Sequence, residues 1–384
     1  MAMIKAMLMV SLICSGSLLP TLQEQERQIR REERTTEQRE NSARGRNSRW
    51  THSVDGHEKS VTIRDEVEFN DDYTDVINVS VNGLFQIKET LDGITRQLEI
   101  RRSANGELER RYTVGGAMQP YDAEARAWMV RALADALRDG FDAEARAQKI
   151  LRRRGASAVL DEAENLTSDY ARRIYLTTVL KSDQVDSGIM RRTLEQASRQ
   201  LKSDYEKAEL LNQAARRELS NSGVRASFFE VVGKIKSDYE RGRVLGEVLN
   251  RHRTENELLS FVIQAASAIS SDYEKANVLI KIAGFDAISS EARAAFLRAV
   301  NTIRSDYERK RVLSEVVARH RSDEDLLLLA IQSASAISSD YEKANVLMSV
   351  AETRSTNGSV RSALLEAINT IRSDYERKRA LSAQ

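Results

Sequence analysis

Apolar residues recur at helical spacing through the C-terminal two-thirds of the chain. In residues 292–303 they stand at i, i+3, i+4, i+7, i+8 and i+11, which is the stripe of a helix that packs on its neighbours. The stretch before it carries a similar stripe on Ala276, Leu279 and Ala283, and Gly284 marks its end. We therefore predict a series of amphipathic helices arranged as helical hairpins.

The tripeptide Ser-Asp-Tyr marks the start of each hairpin. Its serine occurs at positions 168, 203, 237, 271, 305, 339 and 373, at a spacing of 34 or 35 residues. Such a period predicts an α-solenoid of 34-residue hairpins. The copies at 237, 305 and 373 resemble one another more than those at 271 and 339, so the full unit is a 68-residue super-repeat. His252 and His320 lie one such unit apart and mark equivalent turns.

The tripeptide also resembles a helix start signal. In Ser271-Asp272-Tyr273-Glu274 the spacing matches a capping box, in which the serine oxygen accepts the N3 amide hydrogen and the glutamate reaches back to the serine amide. Six of the seven copies keep the glutamate, and Ala171 replaces it in the first copy. We predict that the serine is the N-cap of each first helix.

The tyrosines of the seven copies are expected to lie in register along the solenoid. One interpretation is an aromatic ladder that is open to a ligand. We favour the other, in which each ring packs against the adjacent repeat and keeps its hydroxyl at the edge. The repeat-packing residues predicted in this way are Tyr170, Tyr205, Tyr239, Tyr273, Tyr307 and Tyr341.

The period of the pattern changes to two upstream, where apolar and polar residues alternate between turn signals. Four dipeptides that accept a positive φ are spaced for successive hairpins. We predict a small antiparallel β meander over residues 48–118, with one face fit for burial, followed by the helical solenoid over residues 122–384. The dipeptides are Asp55-Gly56, Asn82-Gly83, Asp92-Gly93 and Asn105-Gly106.

The first residues resemble an export signal. Lys5 precedes an apolar run from Ala6 to Leu19 that is too short to span a bilayer, so we predict a signal peptide over residues 1–19 and no stable membrane anchor after its removal. Cys14, the only cysteine, would leave with it. Residues 20–47 contain almost no apolar residues and are predicted to be a charged, solvated linker. The expected location is secreted or periplasmic, in a bacterium.

Composition limits the chemistry further. Lys and Arg number 59 and Asp and Glu number 58, so the net charge of +1 creates no long-range electrostatic field that would attract nucleic acid. Catalytic and cofactor motifs are missing, and we predict no catalytic, cofactor-binding or metal site. His52 and His57 flank a predicted turn without a third ligand, and the acidic segment 70–75 lacks the spacing of a calcium loop.

The repeats are similar in length and plan to tetratricopeptide repeats, although they lack the usual Trp, Gly and Pro positions. From about Trp50 onward the chain also resembles the extracytoplasmic tail of membrane metallopeptidases of the beta-lactam-sensor class. The phrases that carry this resemblance are segments 66–72, 107–112 and 122–126 and the Ser-Asp-Tyr copies. The peptidase motif His-Glu-x-x-His is missing. The resemblance implies a binding or sensing module rather than an activity.

Two functions remain open at this point. The first is a non-enzymatic, exported scaffold that binds another protein. The second is a structural subunit that assembles end to end into filaments or tubes through its last repeat, because the final helix has no second helix to cover its apolar side. The residues expected to mediate assembly or interaction are Tyr375, Leu381 and Arg377.

Overall fold

The computed structural model describes residues 34–42, 45–54, 56–252, 256–285 and 289–383. The chain divides into two compact units between Phe141 and Asp142. The predicted signal peptide over residues 1–19 lies outside the described residues. None of the helices in the described ranges is long and apolar enough to cross a membrane.

The first unit contains an antiparallel sheet in the order β1-β2-β3-β6-β7-β8-β9, and β4 and β5 form a separate pair. Val61, Phe85 and Leu98 lie on one face of the sheet and are buried. The strands are β1 (Arg34–Ser42), β2 (Gly45–Val54), β3 (His57–Arg64), β4 (Val67–Phe69), β5 (Val76–Val79), β6 (Leu84–Leu91), β7 (Ile94–Arg102), β8 (Leu108–Val114) and β9 (Ala117–Gln119).

The linker prediction is wrong for the second half of residues 20–47. Strand β1 and the start of β2 occupy it, in a register that runs from Arg34 opposite Ser53 to Ser42 opposite Gly45. A lack of apolar residues does not by itself indicate a lack of structure. Backbone hydrogen bonds between antiparallel strands do not depend on side-chain polarity, and edge strands of sheets commonly carry charges.

Three of the four predicted turns join paired strands. They lie at Gly56, at Asp92-Gly93 and at Asn105-Gly106. The turn at Asn82-Gly83 instead leads from β5 into β6, and these two strands pair with different partners. A turn dipeptide fixes the local backbone, but the strand partner is selected by the whole sheet.

The predicted boundary between the meander and the solenoid is also misplaced. Helix α1 (Ala123–Arg138), expected to begin the solenoid, belongs to the first unit. Its buried side chains, including Trp128 and Met129, form one hydrophobic cluster with Phe85, Leu98 and other residues of the sheet. A sheet with one apolar face needs a cover, and the amphipathic stripe of α1 provides it.

The second unit is a helical repeat. Helix α2 precedes the Ser-Asp-Tyr copies, and the odd-numbered helices from α3 onward are the first helices of successive hairpins. The helices are α2 (Ala143–Ala163), α3 (Asp169–Lys181), α4 (Ser187–Gln200), α5 (Asp204–Ala214), α6 (Ser222–Gly233), α7 (Asp238–Arg251), α8 (Asn256–Ser267), α9 (Asp272–Ala283), α10 (Ser290–Asn301), α11 (Asp306–Arg319), α12 (Glu324–Ser335), α13 (Asp340–Ala351), α14 (Gly358–Asn369) and α15 (Asp374–Ser382).

Stacking of successive hairpins buries a continuous apolar core. The predicted stripe residues Ala292, Phe296 and Val300 are buried, as is Ile303 just after α10. The super-repeat is visible in the hydrogen bonds as well. His252 Nε2 lies 2.9 Å from the carbonyl oxygen of Ala215, and His320 Nε2 lies 2.7 Å from that of Ala283. Both contacts join a hairpin to the one before it.

The serine half of the predicted capping box is confirmed. Each Ser-Asp-Tyr serine is an N-cap, and Ser271 Oγ accepts a 3.3 Å hydrogen bond from the Glu274 amide. The serine amides, however, donate to a different carboxylate. The amide of Ser271 donates to Oδ2 of Asp238, the tripeptide aspartate of the preceding repeat, at 2.8 Å. The aspartates therefore form a ladder of hydrogen bonds between repeats, which the sequence analysis did not predict.

Buried cations form a second set of links between repeats. The residue four positions after each tripeptide serine is Lys or Arg, and six of the seven are buried. Arg309 donates at 2.9 Å to the carbonyl of Ala336, beyond the end of α12 in the same hairpin, and also to that of Ile303 in the hairpin before. Arg309 thereby satisfies carbonyls at helix C-termini, where positive charge is favoured, whereas Lys275 donates to the hydroxyl of Thr302 just after α10. The buried cations are Arg172, Lys207, Arg241, Lys275, Arg309 and Lys343.

Candidate interaction surface

The tripeptide tyrosines, predicted to pack against the adjacent repeat with the hydroxyl at the edge, are largely exposed. Tyr170 is half-buried, but the later rings are exposed, from 53% at Tyr205 to 70% at Tyr375. The N-cap geometry explains this, because the ring lies in the first turn on the solvent side while the residues that follow supply the core. We call the six exposed rings the tyrosine row: Tyr205, Tyr239, Tyr273, Tyr307, Tyr341 and Tyr375.

Cations lie over several of these rings. The guanidinium of Arg311 is 5.5 Å from the ring centre of Tyr273 in the preceding repeat, and Arg379 lies 5.6 Å from that of Tyr341. Lys310 lies 5.0 Å from the ring of Tyr307 in its own helix. Cation–π contacts of this kind hold the rings in place at the surface, so that their edges and hydroxyls stay accessible.

Glutamates of the same surface form ion pairs with these cations. Glu308 is within 2.5 Å of Arg311, and Glu342 lies 3.7 Å from Lys310 in the repeat before it. Burial raises the pKa of Glu206, which pairs with Arg173 of the preceding repeat. These glutamates were predicted to cap the serine amides, and they instead hold the cations that lie on the tyrosines.

The ladder aspartates are engaged in the same way. Oδ2 of Asp306 accepts the amides of Ser338 and Ser339 at 3.1 and 2.8 Å. The corresponding amide hydrogen bonds, first from Ser373 and also from Arg372, lower the pKa of Asp340. Their negative charge is directed towards backbone N–H groups of the next repeat, where it stabilises the stacking.

The three residues expected to mediate assembly lie at the end of the described solenoid. Tyr375 and Leu381 are exposed, at 70% and 43%. Arg377 is half-buried, whereas its six equivalents in the earlier repeats are buried. It donates to the carbonyl of Ile371 at 3.2 Å and pairs with Asp374. The structure thus brings Arg377 and Asp374 together, but it places Tyr375 and Leu381 at the surface.

His52 and His57 lie in the neighbouring strands β2 and β3. His52 pairs with Lys59 and His57 with Val54 in the strand register, so the two histidines are not opposite each other. The His52 ring stacks on Trp50 at 5.9 Å. In the described ranges, no group of three or more His, Cys, Asp or Glu residues is placed to hold a metal ion.

The surface depressions are open and shallow. One of about 300 Å³ lies between the end of α13 and the start of α14, lined by residues that include Val350, Arg354 and Leu364. Another, of about 790 Å³, follows the α11–α12 turn at His320 and is lined mainly by charged residues. Neither brings together the groups that would suggest a reaction.

Comparison of the chain with models of known families, with curated proteins and with solved structures finds no match. The resemblance to the extracytoplasmic tails of beta-lactam-sensor-class peptidases therefore stays a prediction. The tyrosine row is a surface of large aromatic side chains that recurs with the repeat. The sequence contains an indication of this surface, because an aromatic residue in the first turn after an N-cap faces solvent on one side.

Proposed function

We propose that the chain is a non-enzymatic, exported scaffold that binds a protein partner along the tyrosine row. The observation that supports this is the repeated exposure of a large aromatic side chain at one position in six repeats, with a cation over the ring in four of them. Tyrosine and arginine supply much of the binding energy in protein interfaces, because both combine apolar area with hydrogen bonding.

The test uses the purified chain and a triple variant, Tyr239→Ser with Tyr273→Ser and Tyr307→Ser. These rings are exposed, so we expect the variant to fold, with a helical circular dichroism spectrum that matches the wild type. The wild type is expected to recover a defined protein from the extracytoplasmic fraction of the producing cells, in a fixed molar ratio. A control variant, Arg298→Ser on the second helix α10, is expected to recover the same protein.

Loss of recovery in the triple variant alone, followed by direct binding of the purified partner, would support the tyrosine row as the contact surface. Equal recovery by the wild type and the triple variant would contradict it.

Export rests on residues 1–19 and has its own test. A reporter enzyme that is active only outside the cytoplasm, fused after residue 47, is expected to be active. The same fusion with Leu8→Arg and Val10→Arg in the apolar run is expected to be inactive, because charges prevent recognition of a signal peptide. Activity in both fusions would argue against the signal.

A second candidate function is end-to-end assembly through the last repeat. The observation in its favour is that Asp374 is exposed, with a side-chain exposure of 78%, whereas Asp169 and Asp204 at equivalent positions are at 19% and 22%. A ladder carboxylate is thus available to another repeat. Light scattering of the purified chain tests it: concentration-dependent growth that Asp374→Lys abolishes would support assembly, and discrete monomers would exclude it.

A further inference from the structure

The exposed side chains at the start of the first helices are almost all aromatic or basic. Between the residue before the serine and the sixth residue after it, the four interior repeats that begin at Ser203, Ser237, Ser271 and Ser305, and the one at Ser339, expose only their tyrosine and the residue before the serine. That residue is Lys202, Lys236, Ser270, Arg304 and Ser338, in chain order.

Most carboxylates at this edge cannot offset the exposed cations easily, because they are already engaged. In the repeat that begins at Ser305, Asp306 accepts two backbone amides and Glu308 pairs with Arg311. Arg304 uses its backbone amide to donate to Asp272, and its side chain is exposed. A partner that approaches this edge therefore meets tyrosine rings and cations first.

The spacing of these groups fits an extended chain. Packed helices lie about 8–10 Å apart, which sets the distance between neighbouring first helices. A polypeptide in the extended polyproline II conformation advances about 3.1 Å per residue with three residues per turn, so every third side chain lies on the same face and could meet one tyrosine. Lys236, Arg304 and Arg372 follow one another at intervals of two repeats. An extended chain would cover each interval in about six residues.

We propose that the tyrosine row takes an extended, acidic segment of another protein. Carboxylates about every six residues would face Lys236, Arg304 and Arg372, and apolar side chains between them would lie on the tyrosine rings. This inference rests on the proposed function, in which the tyrosine row is the contact surface. It adds the chemistry of the partner.

A polypeptide fits this edge better than a nucleic acid. Duplex DNA carries about one charge per 1.7 Å of its axis and is bound by dense clusters of cations. Here the exposed cations are separated by one or two repeats, and the whole chain has a net charge of only +1. Sparse carboxylates on a peptide match sparse cations, and the tyrosine hydroxyls can hydrogen-bond to its backbone.

The probe is a synthetic peptide of about 24 residues, long enough to pass four exposed cation positions at the extended rise. It carries glutamate at every sixth position, leucine midway between the glutamates and serine elsewhere. A matched peptide has lysine in place of each glutamate. Binding to the purified full chain is followed by fluorescence anisotropy, with single-stranded DNA and a sulfated polysaccharide as further probes.

The test variant is Lys236→Glu with Arg304→Glu, and the control is Arg298→Glu with Arg361→Glu, two exposed cations on second helices. We expect the glutamate peptide to bind and the lysine peptide not to bind. The test variant is expected to weaken the glutamate peptide about tenfold or more, because like charges then face each other. The control is expected to stay within about twofold of the wild type, since its charges are remote and screened.

Failure of this inference and failure of the proposed function give different results. If the triple tyrosine variant loses its partner but the charge reversal has no effect, or both peptides bind equally, the acidic partner is excluded and the tyrosine row stands. If DNA or the polysaccharide binds more tightly than the peptide with the same dependence on Lys236 and Arg304, the site is a general polyanion site and the inference is overturned. No binding of the glutamate peptide at its solubility limit also overturns it.

Discussion

One carboxylate oxygen of Asp272, in the first turn of α9, accepts a 2.8 Å hydrogen bond from the backbone amide of Ser305, the N-cap of α11 in the next repeat. The same oxygen accepts the amide of Arg304 at 3.0 Å. The tripeptide thus performs two tasks. Its serine begins a helix, and its aspartate fixes where the next helix begins.

Replacing a ladder aspartate is expected to destabilise the stack. In Asp272→Ala two backbone amides lose their charged acceptor, and hydrogen bonds to charged groups contribute about 1.5–3 kcal/mol each, so we expect a loss of about 3–6 kcal/mol in the free energy of unfolding. The measurement is urea unfolding followed by circular dichroism. Asp374→Ala is the matched control, because the Asp374 side chain is 78% exposed, and we expect a change of less than about 0.5 kcal/mol. Equal effects of the two changes would contradict the ladder.

The repeat architecture could be predicted from the sequence because its signals are local. The serine N-caps, the end of α9 at Ala283 before Gly284 and the super-repeat marked by His252 and His320 each depend on a few neighbouring residues. Because the sequence is periodic, a correct prediction for one hairpin applies to its other copies as well. The fold class is confirmed for this reason.

The errors concern contacts between distant residues. The glutamate of Ser271-Asp272-Tyr273-Glu274 was expected to cap the serine amide, but Asp238 of the preceding repeat takes that amide. The apolar stripe of an amphipathic helix does not show whether the helix will cover a sheet or another helix. For this reason α1 is predicted to begin the solenoid, although it belongs to the first unit. The tyrosine rings are more exposed than the packing interpretation implies, because an aromatic residue at this position fits both a packed contact and an open surface.

A glycine inside α2 permits the second prediction. Gly155 has a φ of +81° and a ψ of 176°, a combination that side chains rarely tolerate, and the amide of Ala156 donates to Gln184 at 2.9 Å. Gly155→Ala is expected to cost about 1–3 kcal/mol of backbone strain. The control is Gly233→Ala in α6. A new Cβ there meets no atom within 4 Å, and Gly233 has a helical backbone that alanine adopts easily. We therefore expect the free energy of unfolding to rise by about 0.4–1 kcal/mol. Thermal unfolding of both variants checks the difference in sign.

The contact between Tyr273 and Arg311 gives a third prediction. The two groups lie 5.5 Å apart, in consecutive first helices on the tyrosine row. A double-mutant cycle with Tyr273→Ala and Arg311→Ala is expected to give a coupling of about 0.5–1 kcal/mol, the usual range for exposed cation–π pairs. The same cycle with Tyr375 and Arg311, which are in different repeats and not in contact, is expected to give no coupling. A coupling near zero for Tyr273 would mean that the ring is not held by the cation.

The last prediction concerns alkaline pH and Tyr175 in α3. This side chain is fully buried, and burial raises its pKa to about 12, although the hydroxyl accepts a 3.1 Å hydrogen bond from Arg146. An unfolded tyrosine ionises near pH 10, so between about pH 10 and 12 the unfolded state loses a proton that the folded state keeps. The folded state therefore becomes less stable as pH rises through this window, by about 1 kcal/mol between pH 10 and 11.

Tyr175→Phe removes this titration and keeps the ring, and Arg146 retains its 2.6 Å contact with Glu162. The variant is expected to lose less stability than the wild type between pH 10 and 11, by about the same 1 kcal/mol. Urea unfolding at both pH values measures it. Tyr273→Phe is the control, because it removes the hydroxyl of an exposed tyrosine and leaves Tyr175 unchanged. If Tyr175→Phe and the wild type lose equal stability, the hydroxyl of Tyr175 is not protected from ionisation by the fold, since protection is what separates the two titrations.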